Sequence, residues 1–351
     1  MPPGASGARR ADPPSRRAAT RPAPAIHPHK ELPMPSSARL HQAALPAAEA
    51  IVVTPLSLYI GAQVDGVDLS RPLPSAQREA IRAALLRWKV LFFHDQHLDH
   101  AQQVAFGRQF GEPTVGHPVF GHVEGHPEIY SVGRDRFKAR FTDERLVRPW
   151  SGWHTDVSAA LNPPAAAILR GVDIPPYGGD TQWTDLVAAY NGLSPTLRAF
   201  VDGLRGEHRF TPPEGAEARP GFSEPLAVRP LVSEHPLVRV HPETGEKALF
   251  VSPTFLKRIV GLSPRESEQL LELLFEHAIR PEYTVRFKWR PGSLAFWDNR
   301  VTAHQPPSDI HATDLPRQLY RITLVGDIPV GPDGRPSRTI AGEPVLAHPA
   351  A

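Results

Sequence analysis

From Ile51 onward the chain is built of short runs in which apolar and polar residues alternate, separated by stretches with helical spacing. "IVVTPLSLYIGAQVDGVDLSRPL" is β-rich and broken by Gly and Asp, which predicts strand, turn and strand. "SAQREAIRAALLRWK" places apolar residues on one helical face, with Ser75 as the expected N-cap. "VLFFHDQ" opens almost wholly apolar and predicts a buried strand, and "DHAQQVAFGRQFGE" a second helix capped by Asp99. Residues 113–150 form a long, basic stretch with Gly and His, expected to be a lid or binding loop. "AAAILRGVDIPPYGGDTQWTD" reads as strand, tight turn and strand. "DLVAAYNGLSPTLRAFVDGL" reads as helical, with a helix start at Ser194-Pro195. "KALFVSPTFLKRIVGL" opens as a strand and "SPRESEQLLELLFEHAI" is a well-formed helix. "YTVRFKWRPGSLAFWDNRVTAHQPP" alternates like a half-buried hairpin, and "RQLYRITLVGDIPV" supplies a further strand.

Regular strand–helix alternation is missing, as is a Gly-rich phosphate loop, which disfavours a doubly wound nucleotide fold. The pattern predicts an α+β, mainly β chain. Its core is a double-stranded β-helix, or jelly roll, with flanking helices. Three segments follow: a leader over 1–48, one domain over 49–331 and a flexible tail over 332–351. The leader is rich in Pro, Ala, Arg and Ser, with seven Lys/Arg against two acids, so it cannot bury enough surface to order itself. Its composition is like that of a transit peptide, but no amphipathic repeat supports one, and no apolar run follows its Arg pairs.

Composition narrows the chemistry. With 22% charged and 40% apolar residues the chain has the makings of a sizeable core, and a net charge of +2 implies no nucleic-acid partner. No apolar run approaches the roughly 18–20 residues of a membrane span, and the expected setting is cytoplasmic. There is no cysteine, which excludes disulfides, thiolate nucleophiles and iron–sulfur ligation. A metal here must be held by His and carboxylates.

"WSGWHTDVSAAL" contains such a pair. If the segment is a strand, His154 and Asp156 face the same side and Thr155 the other. Other His-x-acid spacings, at His97, His122, His126 and His241, read as a helix cap or solvated loops. His154 and Asp156 differ because "LAFWDNRVTAHQPP" ends a later strand at His304, and "LPRQLYRITLVGD" then brings Arg317 and Arg321. Two histidines, one carboxylate and open positions match the facial triad of non-haem Fe(II) oxygenases. A 2-oxoacid co-substrate such as 2-oxoglutarate chelates such a metal and leaves a far carboxylate, for which an arginine fork is the fitting partner.

These residues resemble the taurine dioxygenase family of Fe(II)/2-oxoglutarate dioxygenases over about residues 52–331. The likeness lies in "TPLSLYIGAQVDGVDLSRPL", "WHTDV", "GGDTQWTD", "FWDNRVTAH" and "RITLVGDIPV". The resemblance implies that His154, Asp156 and His304 hold iron and that Thr181 and Arg317 hold 2-oxoglutarate. It also implies that His117, Arg321 and the Val157 amide hold the anionic end of a small-molecule substrate, with O2 as the other reactant and a homo-oligomer, dimer or tetramer, as the assembly. Where the taurine enzyme contacts its substrate's amine, this chain reads Phe120 and Trp150, which offer neither hydroxyl nor amide. That shifts the expected substrate from taurine toward longer alkanesulfonates or alkyl sulfate esters, hydroxylated at the carbon bearing the sulfur group so that sulfite or sulfate and an aldehyde leave. Competing readings are a family member acting on a carboxylate such as an aryloxyalkanoate, a non-catalytic anion-binding barrel, and a hydrolytic zinc enzyme, for which no general base is evident. The basic loop around Arg134, Arg136, Lys138 and Arg140 reads as a solvated segment.

Overall fold

The computed structural model describes residues 50–117, 121–133, 148–210, 231–306 and 309–345. The leader, Phe120 and the basic loop at 134–147 lie outside them. Seven strands form the larger sheet: β1 (Val52–Pro55), β2 (Ala62–Asp65), β3 (Val90–Phe93), β4 (Tyr130–Gly133), β5 (Ala166–Asp173), β13 (Leu294–Asp298) and β15 (Gln318–Leu324). Their order is β1-β2-β3-β13-β5-β15-β4, antiparallel except for the β2–β3 pair. A three-stranded sheet runs β12 (Thr284–Phe287), β6 (Thr181–Asp185), β14 (Thr302–Gln305). A four-stranded sheet runs β11 (Leu256–Ile259), β7 (Arg205–Phe210), β8 (Leu231–Pro236), β16 (Arg338–Ala341), and β9 (Val238–Val240) pairs with β10 (Lys247–Leu249).

The period-two pattern sorts the core. Val90, Phe92, Ala167, Leu169, Ala295 and Trp297 pack against Trp183, Val285 and Phe287 of the three-stranded sheet. Their neighbours Leu91, Phe93, Ile168, Phe296 and Ile322 face the opposite way, onto α1 (Ser75–Trp88) and α2 (His100–Arg108). The fold is the expected mainly β one: two sheets enclose one core and helices cover the outer face of the larger. A second core gathers under α3 (Leu186–Gly192), α4 (Pro195–Val201) and α5 (Pro264–Ala278). Asp99 and Ser194 cap α2 and α4 as expected, and Ser263 caps α5.

Several expectations are corrected. Ser75 is the first helical residue of α1, whose N-cap is Pro74, without a side-chain cap bond. The 113–150 stretch contains β4. Residues 283–307 are not a hairpin: β12 and β14 flank β6, whereas β13 lies between β3 and β5. The turns at Pro291-Gly292 and Asn299-Arg300 are corners where the chain changes sheet, and alternation alone does not name a strand's partner. Part of the presumed flexible tail forms β16, paired with β8, and Val345 is held by reciprocal bonds to Asn162 of 2.8 and 2.9 Å. No helix among the described residues is long and apolar enough to cross a membrane.

His208 on β7 and His235 on β8 are fully buried, their rings 4.9 Å apart. Burial pushes the imidazole of His235 down to about 3, helped by Arg239, and holds that of His208 well below the usual range. In the unfolded chain both take up a proton near pH 6.5, which the folded protein refuses. Stability is therefore full above about pH 6.5 and declines as the pH falls toward 3, by up to about 1.4 kcal/mol per pH unit for each imidazole. His235→Gln is expected to make the fall in unfolding free energy between roughly pH 6 and 4 shallower by about one proton's worth. Urea titrations across that range check it, and an unchanged slope would refute it.

Candidate metal centre

His154 and His304 are joined backbone to backbone. The N–H of each donates to the carbonyl of the other at 2.8 Å, an isolated antiparallel bridge that sets their rings 4.2 Å apart. His154 is thus a bridge residue and Asp156 lies in a turn, so the pair does not ride on a strand as expected. The outcome for the side chains is the same by another route. Asp156 Oδ1 lies 3.8 Å from His154 Nε2 and 4.0 Å from His304 Nε2. Ligand-capable atoms of the three residues all fall within 4.8 Å of one another, and no other such group occurs among the described residues.

The protonation states suit a metal. His154 Nδ1 lies 2.9 Å from the Gly152 carbonyl, which can only accept, so Nδ1 carries the hydrogen and Nε2 keeps its lone pair. Burial, with the adjacent His154 ring, holds His304 well below the usual imidazole range and hence neutral. Burial alone would raise the Asp156 carboxyl. The adjacent Arg321 guanidinium outweighs it and keeps the group ionised. Asp156 Oδ2 is buried with no hydrogen-bond partner among the described residues, an arrangement that a cation at this point relieves. Two imidazoles and one carboxylate are the donor set of a facial Fe(II) site, and the residues fit that ion.

Two arginines adjoin the triad. Arg321, on β15, donates from Nη1 to Asp156 Oδ1 and lies over the Tyr130 ring, while its buried Nε has no partner among the described residues. His117 sits against the same tyrosine, 5.0 Å between ring centres. Arg317 precedes β15, and a register irregularity between Gln318 and Leu319 separates the two arginines, so they are not equivalent positions on one strand face. Arg317 is 7% exposed, and burial lowers its guanidinium to about 10, still protonated at neutral pH. Among the described residues no carboxylate lies within ion-pair distance of it. Its Nε donates to the Gly179 carbonyl at 3.1 Å. Gly179 has φ +73°, and a Cβ there would stand 2.9 Å from that Nε, so the Gly178-Gly179 turn is what lets the guanidinium in. Two residues on, Thr181 is buried, and its Oγ accepts from Trp289 Nε1 at 2.9 Å, leaving the hydroxyl hydrogen for another acceptor.

Val157 follows the ligand Asp156 with φ +50°, a strained conformation for a β-branched residue, and its N–H has no acceptor among the described residues. It packs with Phe255, Leu231 and Phe210, and the Phe255 ring meets His154 edge-on at 6.2 Å. Trp150 does not join this group: it packs on the helical core, 6.1 Å from Phe275 of α5. Sequence reasoning missed Trp289 and Asn299. Asn299 lies within the quoted motif "FWDNRVTAH", and its side chain binds both backbone polar groups of Asp156.

Asp156→Ala is expected to weaken Co(II) binding far more than the roughly 10–100-fold seen on loss of an outer partner. Titration calorimetry on metal-free protein measures this, and retained affinity would dismiss the site.

The chain matches the family described as taurine catabolism dioxygenase TauD, TfdA family over residues 53–323. It is 40% identical over 309 residues to an alpha-ketoglutarate-dependent sulfate ester dioxygenase of Pseudomonas putida, covering 85% of this chain and 97% of that protein. It is 37% identical over 288 residues to an alkylsulfatase of Acinetobacter baylyi, covering 80% and 86%. A crystal structure of a taurine dioxygenase from Burkholderia xenovorans aligns with a TM-score of 0.75 and 65% identity, covering 84% of this chain and 96% of that one. Matched across most of its length, with the His-Asp-His group assembled where the resemblance expects it, the chain belongs to the TauD/TfdA family of dioxygenases.

Proposed function

We propose that the protein is an Fe(II)- and 2-oxoglutarate-dependent dioxygenase that hydroxylates the carbon bearing a sulfate or sulfonate group, so that sulfate or sulfite departs and an aldehyde remains. The observation that carries the reading is a charge imbalance. Of two buried guanidiniums, Arg317 and Arg321, only Arg321 has an ion-paired carboxylate, Asp156, among the described residues. With a divalent metal added, the site holds three positive charges in excess. A 2-oxoglutarate dianion and one substrate anion balance them.

The residues divide the work. His154, Asp156 and His304 take one face of the metal. Arg317 and the Thr181 hydroxyl, oriented by Trp289, hold the distal carboxylate of 2-oxoglutarate. His117, Arg321 and the Val157 N–H hold the substrate's anionic head. Phe255, Phe210 and Leu231 offer its chain an apolar surface next to His154. Iron bound here supplies the oxidative chemistry, activating O2 as 2-oxoglutarate is converted to succinate and CO2. The chain's own part is to orient both anions and to keep water from the reacting carbon. The sulfate ester and alkylsulfatase relatives support this choice of head group.

Two outcomes are expected. Arg317→Ala raises the KM for 2-oxoglutarate on the order of 10–100-fold, the worth of one or two charge-assisted bonds, and changes that of the sulfur substrate much less. Steady-state kinetics varying each substrate decides, and an unmoved 2-oxoglutarate KM would sink the assignment. A longer linear alkyl sulfate or alkanesulfonate has a higher kcat/KM than taurine, because each methylene buried on the apolar surface contributes up to about 0.8 kcal/mol. Oxygen uptake with taurine, alkyl sulfates, alkanesulfonates and aryloxyalkanoates measures this. A preference for taurine would show an amine partner in the pocket, and a preference for aryloxyalkanoates would move the enzyme to carboxylate substrates.

A further inference from the structure

We propose that Asn299 is the positioning residue that makes Asp156 a metal ligand. Asp156 belongs to no strand. It stands between the bridge residue His154 and the strained Val157, so no ladder of backbone bonds fixes its place. The side chain of Asn299 supplies what the ladder does not. Its Oδ1 accepts the Asp156 N–H at 2.9 Å, and its Nδ2 donates to the Asp156 carbonyl at 3.1 Å and to the Pro164 carbonyl at 2.9 Å. The partners dictate the amide's orientation, since an N–H only donates and a carbonyl only accepts. A carboxylate lacks the two donors and a hydroxyl lacks the reach, so the position calls for an amide of this length.

The anchor is itself held. Asn299 is 1% exposed, and its own N–H donates to the Ala165 carbonyl at 2.9 Å. The preceding Asp298 is fully buried and receives His241 Nε2 at 3.0 Å and Arg300 Nη2 at 2.7 Å. Arg300 Nη1 continues to Glu243 at 2.7 Å. This turn joins β13 to β14, and β14 carries His304. One corner of the fold therefore places two ligands, His304 through the strand and Asp156 through the amide.

The inference rests on the metal site, and its test needs no turnover, so it is separable from the substrate reading. Co(II) is titrated into metal-free parent, Asn299→Asp and Asn299→Ala proteins, with the Co(II) absorption bands recorded and the melting temperature taken under chelator. Asn299→Asp keeps the shape and the acceptor but sets an oxygen against two carbonyls, and Asn299→Ala removes all three bonds. Both are expected to remain folded without metal, with a melting temperature lowered by the stranded polar groups, and to bind Co(II) about 10–100-fold more weakly than the parent, with altered bands. Asn162→Ala, which frees Val345 far along the chain, is expected to lower the melting temperature and leave Co(II) affinity unchanged. Parent-like affinity and bands in both Asn299 variants would overturn the proposal. So would loss of the folded state in both, which would assign Asn299 to the fold and not to the ligand.

Discussion

Excess positive charge in a buried place is the constraint around which this protein is arranged. A guanidinium removed from water demands a partner, and among the described residues Arg317 has only a backbone carbonyl at 3.1 Å. Neighbouring acids are engaged elsewhere: Asp180 is bonded to Arg286 at 2.8 Å and Asp309 accepts the Gly179 N–H at 3.1 Å. Arg321 has spent one nitrogen on Asp156 and keeps a buried Nε unmatched. Such a site is unfavourable empty and favourable when anions enter. Around these two cations lie two glycines with positive φ, an indole behind a threonine and a strained valine.

The scaffold keeps these demands from collapsing on one another. The seven-stranded sheet carries Arg321 and the three-stranded sheet carries Thr181 and His304, while the layer of Phe92, Trp183, Trp297 and Phe287 holds the two sheets in register. The aromatic layer also abuts His304, whose ring lies 4.9 Å from Trp297. Rigid apolar packing thus sits directly behind the metal site. The more irregular chain adjoins the ligands and Arg317: Val157 follows Asp156, the Asn299 side chain holds the Asp156 backbone, and Gly179 lies against Arg317.

The sequence yields the ligand triad because chemistry leaves so few residue types for it. Without cysteine, His154, Asp156 and His304 are the histidine and carboxylate positions that fall in ordered motifs with arginines following. Helices α2, α4 and α5 are legible from caps and spacing, and β3 from its unbroken apolar run. What escapes notice depends on contacts between distant residues. Trp289 is 108 positions from Thr181 and Asn299 is 143 from Asp156, and neither bond leaves a local trace. The same holds for Trp150, whose partner Phe275 lies on a helix far along the chain. Alternation within 283–307 reports burial on a sheet without saying which sheet.

The mutual backbone bridge between His154 and His304 has a meaning for how long the protein lasts. The two bonds close a loop of about half the domain, so the coordinating pair exists only once that long-range contact has formed. A ligand that binds the folded state alone adds stability in proportion to RT ln(1 + [L]/Kd), about 2.7 kcal/mol at a hundredfold excess over Kd. Iron entering this site therefore acts as a late-fitting clasp. The folded state of the metal-loaded chain is more stable than that of the bare chain by this linkage, beyond whatever the metal does for the reaction.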